Sequence, residues 1–582
     1  MKRQTINWFS IYRGSDFLFQ SFLFQIRLLL ERLFPKSLFP KQLLPEVLLP
    51  RKLRSKYLLR ISLIFLIIVP LRIDAQPLTE HQVDSIVASA LEHVPQAGIA
   101  VAVVQDGEVL FQKGYGVRSI ETGEPVDEHT LFSIASNSKA FTAAALAILV
   151  DEGKLNWDDR VIDHVPEFRM YDPYVTAHFT IVDLLTHRSG LGLGAGDLMI
   201  FPDGSDFTID DVLNSFQYQE PVSDFRTKYD YDNLLYIVAG EVVARISGKS
   251  WEEFIEERMM APLGMHHSAA SYSRIRDRSN TAAPHSTETG EVIKVNHYSL
   301  DLTNPAGGIC ASVSDLVKWM QVQLNGGKYG PDLEEQLFSA ESQQQMWYPH
   351  TVIGYRARGD QRYGGHLNAY GLGWVLSDMN GYTVVSHTGG LPGMLSKTAM
   401  VPELNAGVVV LTNTLPGGLN YYTVAQNILD GFTGADPMDW TGFAKNRIGS
   451  TKAEVDSVLN AVWKTTELAK QEMPELAKYT GMYEDDWFGK MEIWLEEDNG
   501  EEHLRIRSLR SSKLNGEMLF YKATTFAIRW EYTDMECSAF ATFSLDHEGV
   551  PVGIKMKGIS PDIDFSFDFH DLDLQRVEDP DL

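Results

Sequence analysis

At 582 residues the chain is too long for one ordinary hydrophobic core, so two or more domains are expected. Its 44% hydrophobic and 22% charged residues are globular values and argue against wholesale disorder. A formal net charge of −27 argues against nucleic acid or anionic membrane as a partner, and two distant cysteines, Cys310 and Cys537, argue against a disulfide framework or a metal site.

The first 75 residues run against that acidic trend, with 13 Lys/Arg and 4 Asp/Glu. Within them LFPK-S-LFPK-Q-LLPE-V-LLPR places a proline every five residues, which no packed helix or strand tolerates. This stretch reads as lying outside the working protein, with translation starting nearer residue 50. Next come a basic cluster (Arg51, Lys52, Arg54, Lys56, Arg60), the apolar run Ile61–Leu71 and the small-residue site at Asp74-Ala75-Gln76. Together they read as an export signal that sends the protein to the periplasm or extracellular space. An uncleaved anchor is the alternative, and only then would a membrane be a partner.

Residues 78–94 predict an amphipathic helix with Val83, Ile86, Val87 and Leu91 on one face. Residues 99–104 and 108–115 predict strands joined at Asp106-Gly107, a hairpin signal. Residues 140–150 predict a buried Ala-rich helix, and 383–387, 398–402 and 407–412 further strands, with a turn at 405–407 and a helix over 421–432. Strands at both ends of a mostly helical middle predict an α/β domain closed by one antiparallel sheet. A connecting helix is expected over 452–470. Short strands at 490–495, 503–507, 518–521, 525–532, 539–546 and 552–557, punctuated at Asn499-Gly500 and Asn515-Gly516, then predict an all-β barrel or sandwich. The expected divisions are 1–75, 76–435, 436–475 and 476–582.

Ser136-Asn137-Ser138-Lys139 is the one Ser-x-x-Lys in the chain. A strand-like approach and a following helix put Ser136 at a helix N-terminus, whose free N–H groups favour developing negative charge. One turn on, Lys139 comes alongside, and partial burial would lower its pKa enough to take the seryl proton. Tyr231-Asp232-Asn233 precedes an apolar helix. Its tyrosine can act as a phenolate partner in a proton relay, and Asn233 can hold Lys139 and a substrate carbonyl. A packing tyrosine and a helix-capping asparagine are the plain alternative. His387-Thr388-Gly389-Gly390 ends a strand, where glycine permits close approach of substrate and a main-chain N–H can face an oxyanion.

In this order and spacing the three elements resemble the serine beta-lactamase and penicillin-binding-protein family, over roughly residues 80–432. The likeness is greatest to the class C beta-lactamase, esterase and D-aminopeptidase branches. Leu184–Leu191, Pro262–Met265 and Pro305–Gly308 also resemble family segments and are expected to be structural, with His187 a packing or hydrogen-bonding residue and not a base. The resemblance implies a beta-lactamase-like domain, with an antiparallel sheet flanked by helices and an all-helical subdomain. It also implies acylation of Ser136, proton movement through Lys139 and Tyr231, and substrate positioning by Asn233. The N–H groups of Ser136 and Gly390 would form the oxyanion hole, with no metal or organic cofactor. His387 stands where carboxypeptidases and true beta-lactamases carry a lysine. A mostly neutral side chain there favours amides, peptides or esters lacking a carboxylate. Residues 476 onward resemble the lipocalin-like accessory domain found behind such hydrolases.

Rival readings are a beta-lactamase or D-alanyl-D-alanine carboxypeptidase, and a non-catalytic or slowly acylated sensor. Gly-x-Ser-x-Gly and His-Glu-x-x-His are both absent, which disfavours an α/β-hydrolase or a zinc peptidase. The expected partner is a small-molecule or peptide substrate; the oligomeric state is left open.

Overall fold

The computed structural model describes residues 78–578, apart from 289, 416–418 and 499. The proline repeat and the export signal lie outside the described residues. No helix among the described residues is long and apolar enough to cross a membrane.

Helix α1 (Glu80–His93) begins with a capping box in which Thr79 and Gln82 satisfy each other's main-chain N–H groups. Strands β1 (Gly98–Gln105) and β2 (Glu108–Gly116) follow as a hairpin. Asp106 (φ 54°) and Gly107 (φ 80°) both take positive φ, the conformation a two-residue hairpin turn demands. The long middle contributes α2 (Ser138–Asp151), α3 (Leu234–Ser247) and α4 (Val313–Leu324) among shorter helices. Strands β3 (Thr351–Tyr355), β4 (Leu367–Tyr370), β5 (Val375–Met379), β6 (Tyr382–Leu391), β7 (Met394–Val401) and β8 (Ala406–Thr412) complete a sheet of order β2-β1-β8-β7-β6-β5-β4-β3. The pairing of β1 with β8, Ile99 opposite Thr412, joins the two ends of the domain as the strand positions imply.

The unbroken apolar run of β1 has a simple cause. Ile99, Val101 and Val103 pack on α1 and α5 (Asn420–Thr433), while Ala100, Ala102 and Val104 face the large core on the other side. A strand covered on both faces loses the polar alternation of a half-exposed one. Helix α2 is buried on every side until its last turn, which accounts for its alanine-rich, unstriped sequence. This is the α/β beta-lactamase-like arrangement, an antiparallel sheet flanked by helices.

Helix α6 runs Trp440–Ala469, twelve residues earlier than the expected start at 452. Asp439 caps it through the Gly442 N–H at 2.8 Å, and buried Trp440 and Ala444 hold the first turns despite Gly442 and Gly449. Beyond it, β9 (Gly481–Asp485), β10 (Gly489–Asp498), β11 (Glu501–Ser508), β12 (Asn515–Lys522), β13 (Thr525–Trp530), β14 (Ala539–Leu545), β15 (Pro551–Gly558) and β16 (Asp573–Val577) form a closed barrel. The first and last strands lie outside the expected set, and they make the closure, Met482 opposite Val577. Asn515-Gly516 is a strand rather than a turn: Gly516 pairs with Ile506 and Trp530, and a Cβ there would meet Arg529 O at 2.6 Å. Sheet domain and barrel fall within one unit, residues 73–582.

Candidate active site

The turn that presents Ser136 is strained and tied down. Ala135 has φ 48° in a single 3-10 turn, Ala135–Asn137, that runs straight into α2. Asn137 Nδ2 donates to Ser396 Oγ (2.8 Å), which donates to Ile134 O (2.7 Å), so β7 grips the segment from beside. Ser136 thus stands at the N-terminal end of a buried helix, as its sequence neighbours suggest.

Lys139 sits one turn on with its side chain wholly buried. Its Nζ lies 3.1 Å from Ser136 Oγ, 2.7 Å from Asn233 Oδ1 and 2.9 Å from Ala306 O. Burial pulls its pKa down to about 7, against the opposing pull of the Asp197 and Asp232 carboxylates. A neutral amine has two N–H groups, and Asn233 and Ala306 accept both. The lone pair is then left facing the Ser136 hydroxyl. That is the arrangement of a base.

Asn233 is freed for this task because Asp232 takes over capping of α3, accepting the Leu235 N–H at 3.2 Å. The Asn233 amide is held at both ends, since Nδ2 donates to Asp197 Oδ2 at 2.7 Å. Tyr231 offers its ring face to the lysine, 4.7 Å from Nζ to the ring centroid. Burial pushes its phenol well above the ordinary range, with the nearby Ser136 hydroxyl pulling the other way. The phenolate role is therefore disfavoured in the unliganded site, and Lys139 is the better placed base.

His387 is buried on β6, its Nδ1 2.5 Å from Thr388 O and its Nε2 2.8 Å from the Tyr370 hydroxyl. Burial and the neighbouring Lys139 bring its pKa down to about 3, so the ring is neutral. Nδ1 then donates to Thr388 O, and Nε2 accepts from Tyr370. Gly389 lies against the turn that carries Ser136, where a Cβ would meet Ile134 O at 2.2 Å and Ser136 N at 2.9 Å. Thr388, Gly389 and Gly390 line the same cavity of about 350 Å³ as Ser136, Tyr231, Asn233 and His387. All eight residues singled out in the sequence therefore meet at one place, with Lys139 directly behind the wall.

A model described as Beta-lactamase matches residues 83–431. The chain belongs to the beta-lactamase family. A second model, of a domain of unknown function (DUF3471), matches residues 467–576, the barrel. The unguisins hydrolase ungD of Aspergillus violaceofuscus is 26% identical over 432 residues, covering 70% of this chain and 75% of its own length. Protein flp of Staphylococcus aureus is 27% identical over 339 residues, covering 58% of this chain and 63% of its own. An octameric penicillin-binding protein homologue from Pyrococcus abyssi superposes with a TM-score of 0.54 at 20% identity. It covers 85% of this chain and 99% of that one, a likeness of fold.

Several site residues carry no signal in isolation. His187 packs as expected, its ring 4.2 Å from that of Tyr231 and its Nδ1 accepting the Asp232 N–H at 3.1 Å. The Pro305–Gly308 segment does more than the structural part expected of it, because Ala306 O is an acceptor for Lys139. Asp197 lies in a Gly-Ala-Gly-Asp turn that carries no catalytic pattern. Met535, Asp564, Phe565 and Ser566 come from the barrel and still line the cavity. No local pattern links them to Ser136, more than 390 residues away; the docking of two domains does.

Proposed function

We propose that this chain is an exported serine hydrolase that cleaves amide, peptide or ester bonds through an acyl-enzyme. The observation that carries the reading is Lys139, buried, held by two acceptors and turned toward Ser136. Neutral Lys139 takes the Ser136 proton as Oγ attacks the substrate carbonyl. The carbonyl oxygen becomes an oxyanion facing the N–H groups of Ser136 and Gly390. As the tetrahedral intermediate collapses, the Lys139 ammonium returns the proton to the departing amine or alcohol. A water then adds to the acyl carbonyl with Lys139 as base again, releasing the acid and restoring Ser136.

The cavity wall supports a substrate without a carboxylate beside the scissile bond. His387 is neutral, and Asp564, whose carboxyl burial pushes above the ordinary range, is the one acidic side chain in that wall among the described residues. Around them stand Phe201, Tyr229, Tyr298, Tyr370 and Leu391, which suit an apolar or aromatic acyl group. A neutral or amine-bearing acyl substrate, as in D-aminopeptidase-like or esterase-like chemistry, fits this wall better than a beta-lactam or a peptide C-terminus.

The test is residues 76–582 against p-nitrophenyl acetate and a fluorophosphonate probe, beside Ser136→Ala. Labelling and turnover confined to the wild type are expected; equal labelling of the variant removes Ser136 as nucleophile. A panel of D-amino-acid amides, dipeptides, short esters and nitrocefin addresses substrate class. Nitrocefin turnover well above the rest would contradict the reading of His387. N-terminal sequencing of protein recovered from outside the cytoplasm, expected to begin near Gln76, tests export.

A further inference from the structure

The segment joining β15 to β16 in the barrel, residues 559–572, does not stop at the domain boundary. Phe567 and Phe569 are buried and anchor it to the barrel, with Phe569 stacked on Trp530 at 5.8 Å. Between them Asp568 is wholly buried and turned outward, accepting the Gly196 N–H at 2.7 Å and the Leu198 N–H at 2.8 Å from the hydrolase domain. Two residues before Asp568, Ser566 Oγ donates to Asp197 Oδ2 at 2.9 Å. The hydrolase side is shaped for this visitor: Gly194 has φ +74°, and a Cβ there would meet Phe565 O at 2.6 Å.

Asp197 Oδ2 is the same oxygen that holds Asn233 Nδ2. A continuous hydrogen-bonded path therefore runs from the barrel to the nucleophile, Ser566 to Asp197 to Asn233 to Lys139 to Ser136, with steps of 2.9, 2.7, 2.7 and 3.1 Å. Asn233 can offer Oδ1 to Lys139 only while its amide nitrogen points at Asp197, and flipping it would set N–H against the lysine. Asp197 has few other restraints. Its second oxygen, Oδ1, is buried without a hydrogen-bond partner, so the Ser566 hydroxyl and the clamp of Asp568 on the adjoining N–H groups are what fix its carboxylate.

We propose that Ser566 and Asp197 are positioning residues for the acylation step, so that the barrel completes the active site of the domain it follows. This rests on the acyl-enzyme reading above. The barrel's reach is a matter of order in the catalytic lysine as well as of cavity shape. Undocking the 559–572 segment removes a donor from Asp197, loosens the Asn233 amide and disorders the acceptor that aims Lys139 at Ser136.

The experiment measures the rate constant for labelling of Ser136 by a short-chain fluorophosphonate in the full protein. The variants are Ser566→Ala, Ser566→Thr, Asp197→Ala and the double alanine variant, each checked for unchanged thermal unfolding. Ser566→Ala removes a single hydroxyl and is the variant that decides if Asp197→Ala fails to fold. It should label about tenfold more slowly, the upper end of what one intramolecular hydrogen bond contributes. Ser566→Thr, which keeps the hydroxyl, should recover most of that loss. Asp197→Ala should label about a hundredfold more slowly, and the double variant no more slowly than Asp197→Ala, because both act through one path. Steady-state ester hydrolysis should show the loss in kcat, with KM little changed. Wild-type labelling by Ser566→Ala, or losses that multiply in the double variant, overturns the positioning role while leaving Ser136 as nucleophile. A wild type that does not label overturns the acyl-enzyme reading, and this inference with it.

Discussion

Lys139 Nζ stands 3.1 Å from Ser136 Oγ with both of its remaining directions taken by acceptors, Asn233 Oδ1 and Ala306 O. The lysine is thereby oriented before any substrate arrives, and burial rather than a second base makes it able to accept a proton near neutrality. Activity should follow its ionisation. With the ammonium pKa at about 7, the amine is mostly charged below that pH and cannot take the seryl proton. The acid limb of kcat/KM should therefore fall about tenfold per pH unit once well below 7. A profile flat from pH 5 to 8 would contradict Lys139 as base. Lys139→Arg, which stays charged throughout, should lose activity at every pH.

Asn233→Asp tests the same electrostatics with the sign reversed. A carboxylate 2.7 Å from Nζ stabilises the ammonium over the amine and raises the lysine pKa. The acid limb should move to higher pH by a unit or more, leaving a slower enzyme at pH 7 that partly recovers at pH 9. Asn233→Ala removes the acceptor without adding charge, so its loss should not be rescued by alkali. Superimposable profiles for the two variants would show that Asn233 acts in some other way than on Lys139.

Much of this site was legible because its parts are local. Ser136 and Lys139 are one helical turn apart, Tyr231 and Asn233 lie just before a helix start, and His387 to Gly390 lie along a single strand. The fold was legible for a related reason: β1 and β8 are apolar along their length because both faces are covered, and the Asp106-Gly107 turn has one compatible backbone. What could not be read depends on tertiary approach. Ala306 contributes a main-chain carbonyl, which no side chain advertises. Asp197 and Ser566 meet across a separation of 369 residues. The closing strands β9 and β16 are five residues each, and their pairing is between the two ends of the barrel. The early start of α6 was hidden by glycines that a side-chain cap and two buried residues outweigh.

Gly389 should tolerate no side chain. The Cβ of Gly389→Ala would stand 2.2 Å from Ile134 O and 2.6 Å from Ser396 Oγ, in the network that holds the Ser136 turn. Relief requires β6 or residues 134–136 to move. A loss of about 1–3 kcal/mol in stability is expected, with a drop in labelling of Ser136 larger than the drop in Tm alone would suggest. Chemical denaturation with parallel fluorophosphonate labelling reads both, and a fully active, equally stable Gly389→Ala would show that the close approach is not required.

In the proposed function His387 selects among acyl groups. Its neutral ring is fixed by Tyr370 at 2.8 Å and gives a substrate carboxylate nothing to pair with. His387→Lys would place an ammonium in the wall of a cavity whose one acidic side chain among the described residues is Asp564. Burial opposes that charge, and Lys139 lies close enough to lower the ring pKa of His387, so the new lysine would be a weaker cation than one in water. Even so, a bound carboxylate would supply the missing counter-charge. The ratio of kcat/KM for nitrocefin over p-nitrophenyl acetate should rise by about tenfold, chiefly through KM for the anionic substrate. An unchanged ratio, with the variant folded and Ser136 still labelled, would mean that the identity of residue 387 does not set the preference and that the barrel-derived wall around Asp564 and Phe565 does.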